Sequence, residues 1–116
     1  MKKLLAVLLV CASASVLAQD KAKPASGYTR ATVAEAHGFE AYTTTFPPGA
    51  VSPMAKRPIR VIYVLSGGTL ERTYANGKKV NITYTTGETK IINDDVAYEL
   101  KNTSNSTVKL YCVRNK

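Results

Sequence analysis

Polar and apolar residues alternate along most of the chain. Between Thr69 and Thr86, Leu70, Arg72 and Tyr74 fall on one side of a period of two, and Thr69, Glu71 and Thr73 fall on the other. After Asn76-Gly77, Val80, Ile82 and Tyr84 alternate with Asn81, Thr83 and Thr85. Successive side chains of a strand point to opposite faces, so each run reads as a strand with one face available to a core. Asn76-Gly77 suits the positive φ angles of a two-residue type I′ turn, and the segment is expected to be a β-hairpin. The apolar face of the hairpin is taken as the inner one. That places Arg72 among buried residues, which is costly for a guanidinium unless it is paired or reaches a rim.

The remaining segments read the same way. Phe39 to Phe46 is rich in Tyr and Thr and stops at Pro47-Pro48-Gly49, and Arg60 to Leu65 is β-branched and ends at Ser66-Gly67-Gly68. Gly87-Glu88 makes a turn into Lys90-Ile91-Ile92, and Asn93-Asp94-Asp95 makes another. Val96 to Leu100 is a strand, Asn102 to Ser106 a loop, and Val108 to Val113 the last strand. Helical spacing is absent, and many short strands at regular intervals predict an all-β barrel or sandwich.

The N-terminus departs from this pattern. Lys2 and Lys3 precede an unbroken apolar run from Leu4 to Val10, and Val16-Leu17-Ala18 follows as a cleavage pattern. This is the form of a bacterial-type secretory signal over residues 1–18, too short to span a bilayer. Acylation at Cys11 is disfavoured, because Val10 stands where a small residue should precede it. Residues 19–27, QDKAKPASG, read as a flexible lead-in and residues 28–116 as one small domain. A periplasmic or secreted protein is expected, without stable membrane insertion once the signal is removed. Cys112 then remains as a lone thiol in the apolar run Leu110 to Val113, where a buried, inert cysteine is expected.

Charge narrows the partners. The chain has 16 Lys and Arg against 8 Asp and Glu, a formal net charge of +8. A basic balance suits nucleic acid, anionic lipid or small acidic molecules, and export argues against nucleic acid. The basic residues are scattered, Lys56, Arg57 and Arg60 forming the tightest group, and most of the charge is expected to be a solvated surface.

The order of turns from about residue 39 to 114 resembles the cupin superfamily, small jelly-roll β-barrels with two short motifs. A frame starting at Gly49 places Ala55 and Arg57 at the family's two histidines and Val61 at its glutamate, and closes on Gly68. A second frame starts at Gly87, places Tyr98 at the third histidine and closes on Asn102. The resemblance implies a single-domain cupin-like jelly-roll β-barrel. In the metal-binding members these four positions hold an ion. Here alanine and valine cannot coordinate, arginine repels a cation and a neutral phenol is a poor ligand, so no metal and no cofactor is expected. His37 is the only histidine and is expected to be an exposed residue at the start of a strand; Asp94-Asp95 is expected to be a turn rather than a catalytic carboxylate pair.

The resemblance turns Tyr98 inward, and alternation then sends Val96 and Leu100 to the same side, as it groups Tyr63 and Leu65 with Val61. The expected cup is lined by Arg57, Arg72, Tyr63 and Tyr98, a set suited to a small anionic ligand with an apolar body. The expected function is a metal-free binding or structural module. The alternatives are a metal-independent or atypical cupin enzyme, for which the cup offers only tyrosines as bases, and a homodimer that acts through outward residues such as Tyr111 and Val113. The mature protein is predicted to begin near Gln19. Intact mass spectrometry of the exported protein checks this, and retained Met1 or a diacylglyceryl-modified Cys11 would refute it.

Overall fold

The structure, a computed structural model, describes residues 27–93 and 96–116; the expected signal and most of the lead-in, and the Asp94-Asp95 turn, lie outside the described residues. Eight strands follow one another: β1 Thr29–Ala36, β2 Phe39–Phe46, β3 Arg60–Ser66, β4 Gly68–Tyr74, β5 Lys79–Tyr84, β6 Thr89–Ile92, β7 Tyr98–Asn102 and β8 Val108–Asn115. Among the described residues there is no helix. The strands form a five-stranded sheet in the order β1-β2-β8-β3-β6 and a three-stranded sheet in the order β5-β4-β7. All pairings are antiparallel. The fold is the expected all-β, single-domain jelly roll.

The core is the strip of inward residues contributed by both sheets. Phe46, Ile62, Val64, Val108 and Leu110 of the larger sheet meet Leu70, Tyr84, Tyr98 and Leu100 of the smaller, and all are buried. Burying each such aliphatic or aromatic side chain favours folding by roughly 1.5–3 kcal/mol. Cys112 is buried in this cluster, as expected.

The segment between β2 and β3 closes one side of the barrel. Its backbone runs along the free edge of β7, with bridges Val51–Lys101 and Ala55–Tyr98 and hydrogen bonds from Ser52 N to Leu100 O (2.8 Å) and from Asn102 N to Ala50 O (2.9 Å). Asn102 is buried and fixes this end: its amide donates to Phe46 O and Ser106 O, and its oxygen accepts from Ser104. An edge that would otherwise expose unpaired backbone groups is thereby covered.

The two-residue turn lies elsewhere than expected. The β4–β5 connection is a three-residue loop, Ala75 to Gly77, in which Gly77 N donates to Tyr74 O and only Gly77 has positive φ (91°). This is a type I turn followed by a left-handed glycine, not the two-residue turn expected at Asn76-Gly77. Asn76 instead accepts a hydrogen bond from Lys78 N through its side chain. The two-residue turn lies between β1 and β2, where His37 (φ 54°) and Gly38 (φ 82°) both adopt positive φ between the paired Ala36 and Phe39. His37 is therefore an exposed turn residue at the start of β2.

The alternation of β3 also differs from expectation. Arg60, Ile62 and Val64 are buried, whereas Val61, Tyr63 and Leu65 face outward and are 42, 44 and 41% exposed. The frame counted from Gly49 to Val61 crosses the irregular β2–β3 segment, where alternation does not hold, and pairing with Arg114, Cys112 and Leu110 of β8 turns Arg60, Ile62 and Val64 inward. A bulge follows, where Leu65 has no partner on β8. Val96 likewise precedes β7 and is 52% exposed, so it does not join Tyr98 and Leu100 inside.

Candidate functional site

A cavity of about 330 Å³ opens between the β2–β3 segment and the larger sheet. Phe46, Ile62, Leu100 and Leu110 form apolar wall, and Arg30, Lys56, Arg57, Arg60 and Arg114 bring positive charge to it.

The backbone path of the β2–β3 segment determines where Arg57 points. Nη1 donates to the carbonyl oxygens of Ala55 (2.9 Å) and Tyr98, and Nη2 donates to Ser52 Oγ (2.9 Å) and Pro53 O (3.1 Å). These acceptors are all neutral. Burial lowers the pKa of Arg57, with the nearby charge of Arg60 acting in the same direction and Tyr98 against it. The same guanidinium lies 4.4 Å from the centre of the Tyr98 ring.

Tyr98 is fully buried and gathers two more arginines. Arg72 lies 4.0 Å from the ring centre, and Arg60 Nη2 donates to the hydroxyl at 2.9 Å. Arg72 also donates to Tyr74 Oη (3.3 Å), whose ring meets Tyr98 edge-on at 6.0 Å. Each face of an aromatic ring attracts a cation, by about 2 kcal/mol where water is excluded, so one side chain can hold cations on both sides.

A second charged group stands on β1, β2 and β8. Glu40 is buried; its Oε1 accepts from Arg30 Nη2 (3.0 Å) and Arg114 Nε (2.9 Å), and its Oε2 accepts from Thr32 Oγ1 (2.7 Å). The Thr32 and Arg30 hydrogen bonds, and after them Arg114, outweigh burial and hold the Glu40 carboxyl down at about 2. Arg30 also stacks 3.9 Å from the centre of the Tyr42 ring. Arg114 is the register partner of Glu40 on one side and of Arg60 on the other. Like charges directly opposite each other across two strands are ordinarily unfavourable.

Of the residues expected at the cup, Arg57 lines the cavity, and Tyr98 is buried with Arg57 and the buried Arg72 both over its ring, 4.4 and 4.0 Å from its centre. Tyr63 and Val61 are corrected: both lie on the outer face of the larger sheet, for the register reason given above. Ala55 pairs its backbone with Tyr98. Arg30, Glu40, Arg60 and Arg114 were not foreseen. The group Lys56, Arg57 and Arg60 was visible in the sequence, but only Arg57 of it was placed at the cup, and alternation from Ile62 and Val64 would have turned Arg60 inward.

The residues present do not fit the metal ion that this fold holds in its metal-binding members. Ala55 has no donor, Arg57 and Arg60 carry permanent charge, Tyr98 already accepts from Arg60, and Val61 faces outward. Among the described residues no group of three His, Cys, Asp or Glu side chains could hold an ion. The groups that titrate around the cavity are also far from neutrality. Burial raises the pKa of Tyr28 and Tyr42, pushes Cys112 up to about 11 and Tyr84 up to about 12.

No family model and no curated protein matches the sequence. Solved structures do match. A cupin domain from Bordetella pertussis Tohama I superposes with a TM-score of 0.69 at 18% identity, over 78% of this chain and 94% of that one. A cupin domain from Schizosaccharomyces pombe gives 0.58 at 21% identity over 80% and 70%, and a cupin-2 domain protein from Shewanella frigidimarina gives 0.54 at 17% over 76% and 80%. The chain has the cupin fold.

Glu40 makes acid stability a direct readout of the second charged group. Its folded pKa lies below the ordinary value of 4.5, so its contribution is complete above pH 4.5 and is lost as the pH falls towards 2. The melting temperature is predicted to fall across that window. Glu88, whose carboxyl is also held low, contributes to the slope. Glu40→Gln should flatten the slope and lower the melting temperature at pH 7; thermal unfolding between pH 2 and 7 measures both, and an unchanged slope in the variant would count against the Glu40 assignment.

Proposed function

We propose that this cupin-fold chain is an exported, metal-free binding module whose cavity takes a small organic anion. The observation that carries the reading is the lining of the cavity: arginines and Lys56 around an apolar interior, with Arg57 making only neutral hydrogen-bond contacts. A buried charge is favourable where an opposite charge meets it, and a carboxylate brings two oxygens that match a guanidinium or ammonium donor. In the metal-binding members of the fold an ion supplies the positive charge. Here the chain supplies it, with Arg57, Arg60 and Arg72 gathered on Tyr98.

Binding is favoured over turnover by acidity. A general base works best with a pKa near the ambient pH. The cavity wall offers Cys112 and Tyr84 at about 11 and 12, which stay protonated, and Glu40 behind Arg30 and Arg114, at about 2, stays a carboxylate already occupied by its donors. Arg57 binds the segment carrying it to β7 as well as facing the cavity, so its loss affects the fold as well as the ligand.

With hexanoate as the probe, calorimetry is expected to give saturable binding that weakens as salt is raised. Lys56→Glu should weaken it about tenfold, near 1.4 kcal/mol, with little change in melting temperature. Arg57→Ala should weaken binding and also lower the melting temperature. The absence of binding by hexanoate and benzoate alike, or an equimolar transition metal retained through a mild chelator, would overturn the reading.

A second reading, a homodimer, is supported by the outer face of the larger sheet. The alternation that removes Val61, Tyr63 and Leu65 from the cup adds them to this face. There Val61 stands between Ile91 and Val113, and Tyr63 is opposite Tyr111. Ile91 is 69% exposed. Such a row of apolar side chains suits a second copy more than water. Sedimentation velocity is expected to show a dimer that Tyr63→Glu converts to a monomer; a natural protein that sediments as a monomer at tens of micromolar would refute this.

A further inference from the structure

Tyr84 brings to the cavity a polar group that the rest of the chain leaves unmatched. It is the last residue of β5, where alternation turns its ring inward, and its register partner on β4 is Gly68, which has no side chain to offer. The ring belongs to the buried core and lines the same cavity as Lys56 and Arg57. Tyr84 is 2% exposed, and among the described residues no donor or acceptor meets its hydroxyl. Lys90 lies over the ring, 5.6 Å from its centre, and pairs with Glu88. Other inward tyrosines are matched: the hydroxyls of Tyr98 and Tyr74 accept from Arg60 and Arg72. Buried hydroxyls are ordinarily hydrogen-bonded, because leaving water without a replacement partner is unfavourable.

The surroundings of the hydroxyl select the atom that suits it. Arg72 and Arg60 place positive charge near the phenol, which favours a hydroxyl that turns its oxygen to them and donates its proton elsewhere. The partner is then an acceptor. Burial nevertheless pushes the Tyr84 pKa up to about 12 against those two charges, so a full negative charge is disfavoured at this point of the wall. A carbonyl or hydroxyl oxygen avoids that penalty. The carboxylate of a bound acid is better placed at Lys56, which is exposed, and Arg57, which is partly exposed, where it is only partly stripped of water.

We infer that Tyr84 is a ligand-binding residue whose hydroxyl donates to an uncharged oxygen of the bound acid, and that the ligand is a hydroxy or oxo acid. This inference rests on the reading of the cavity as an anion site and adds a requirement to it. Selection works by what is left unmet: a simple acid binds its charge but leaves the buried hydroxyl without an acceptor, whereas an oxygenated acid supplies one.

The test compares hexanoate with its 3-, 4- and 5-oxo derivatives by calorimetry at one ionic strength. The isomers carry the carbonyl to different places, so no separation between the carboxylate and Tyr84 has to be assumed. At least one isomer is expected to bind about tenfold more tightly than hexanoate, and Tyr84→Phe is expected to reduce that ratio to about one. The variant without ligand gives a second readout, independent of the anion site. Removing a hydroxyl that has no partner leaves the melting temperature unchanged or raises it, whereas removing one already held by a hydrogen bond lowers it. The isomer series on the natural protein stands by itself should the variant fail to fold. A lowered melting temperature in Tyr84→Phe, no isomer tighter than hexanoate, or a ratio that survives the substitution would overturn the role of Tyr84 and leave the anion site standing. If neither hexanoate nor any isomer binds, the anion site itself is wrong and the inference falls with it.

Discussion

One buried ring organises the positive charge of this protein. Tyr98 has Arg57 on one contact at 4.4 Å and Arg72 on another at 4.0 Å, and its hydroxyl accepts from Arg60. Taking three guanidiniums out of water is costly, and an aromatic face with a phenolic oxygen is one of few side chains that can meet all three at once. The backbone of Tyr98 is equally committed, since its carbonyl accepts from both Ala55 N and Arg57. Loss of the ring would loosen the β2–β3 segment, the edge of β7 and the cavity margin together.

In the reading proposed for the cavity, this arrangement takes the place of the ion that the fold houses in its metal-binding members. The position that would bring a third imidazole brings a ring that binds cations by its faces, and neighbouring positions bring the cations covalently. A guanidinium keeps its positive charge across the physiological pH range. Permanent charge without a poised base suits recognition better than proton transfer, which is why the shifts of Cys112 and Tyr84 away from neutrality matter as much as the arginines.

Particular elements show how far the sequence could be read. The strand Phe39–Phe46 and the pairing of the two strands around Asn76-Gly77 were legible, because alternation and turn residues are local properties. The inward position of Arg72 was legible for the same reason. The β4–β5 turn type was not: Asn-Gly is compatible with several loops, and the pairing of Thr73 with Lys79 selected the three-residue one. Tyr63 and Val61 were placed inside by a motif frame counted from Gly49, and the irregular segment between β2 and β3 let the pairing with β8 set the opposite face.

The sequence by itself determined that the chain is all-β, where most of its strands run, and that the four metal positions lack donors, because residue type and a period of two act over a few neighbours. Only the tertiary structure decided which face of β3 is inside and which arginines meet. Glu40 lies 74 positions from Arg114, and Arg57 lies 41 from Tyr98. Contacts of that separation depend on strand order and on register, and a shift of one residue exchanges the two faces of a strand. For that reason the pattern could announce a basic group at Lys56, Arg57 and Arg60 and point Arg57 to the cup, while the fold alone turned Arg60 inward and brought Arg30 and Arg114 to the same cavity.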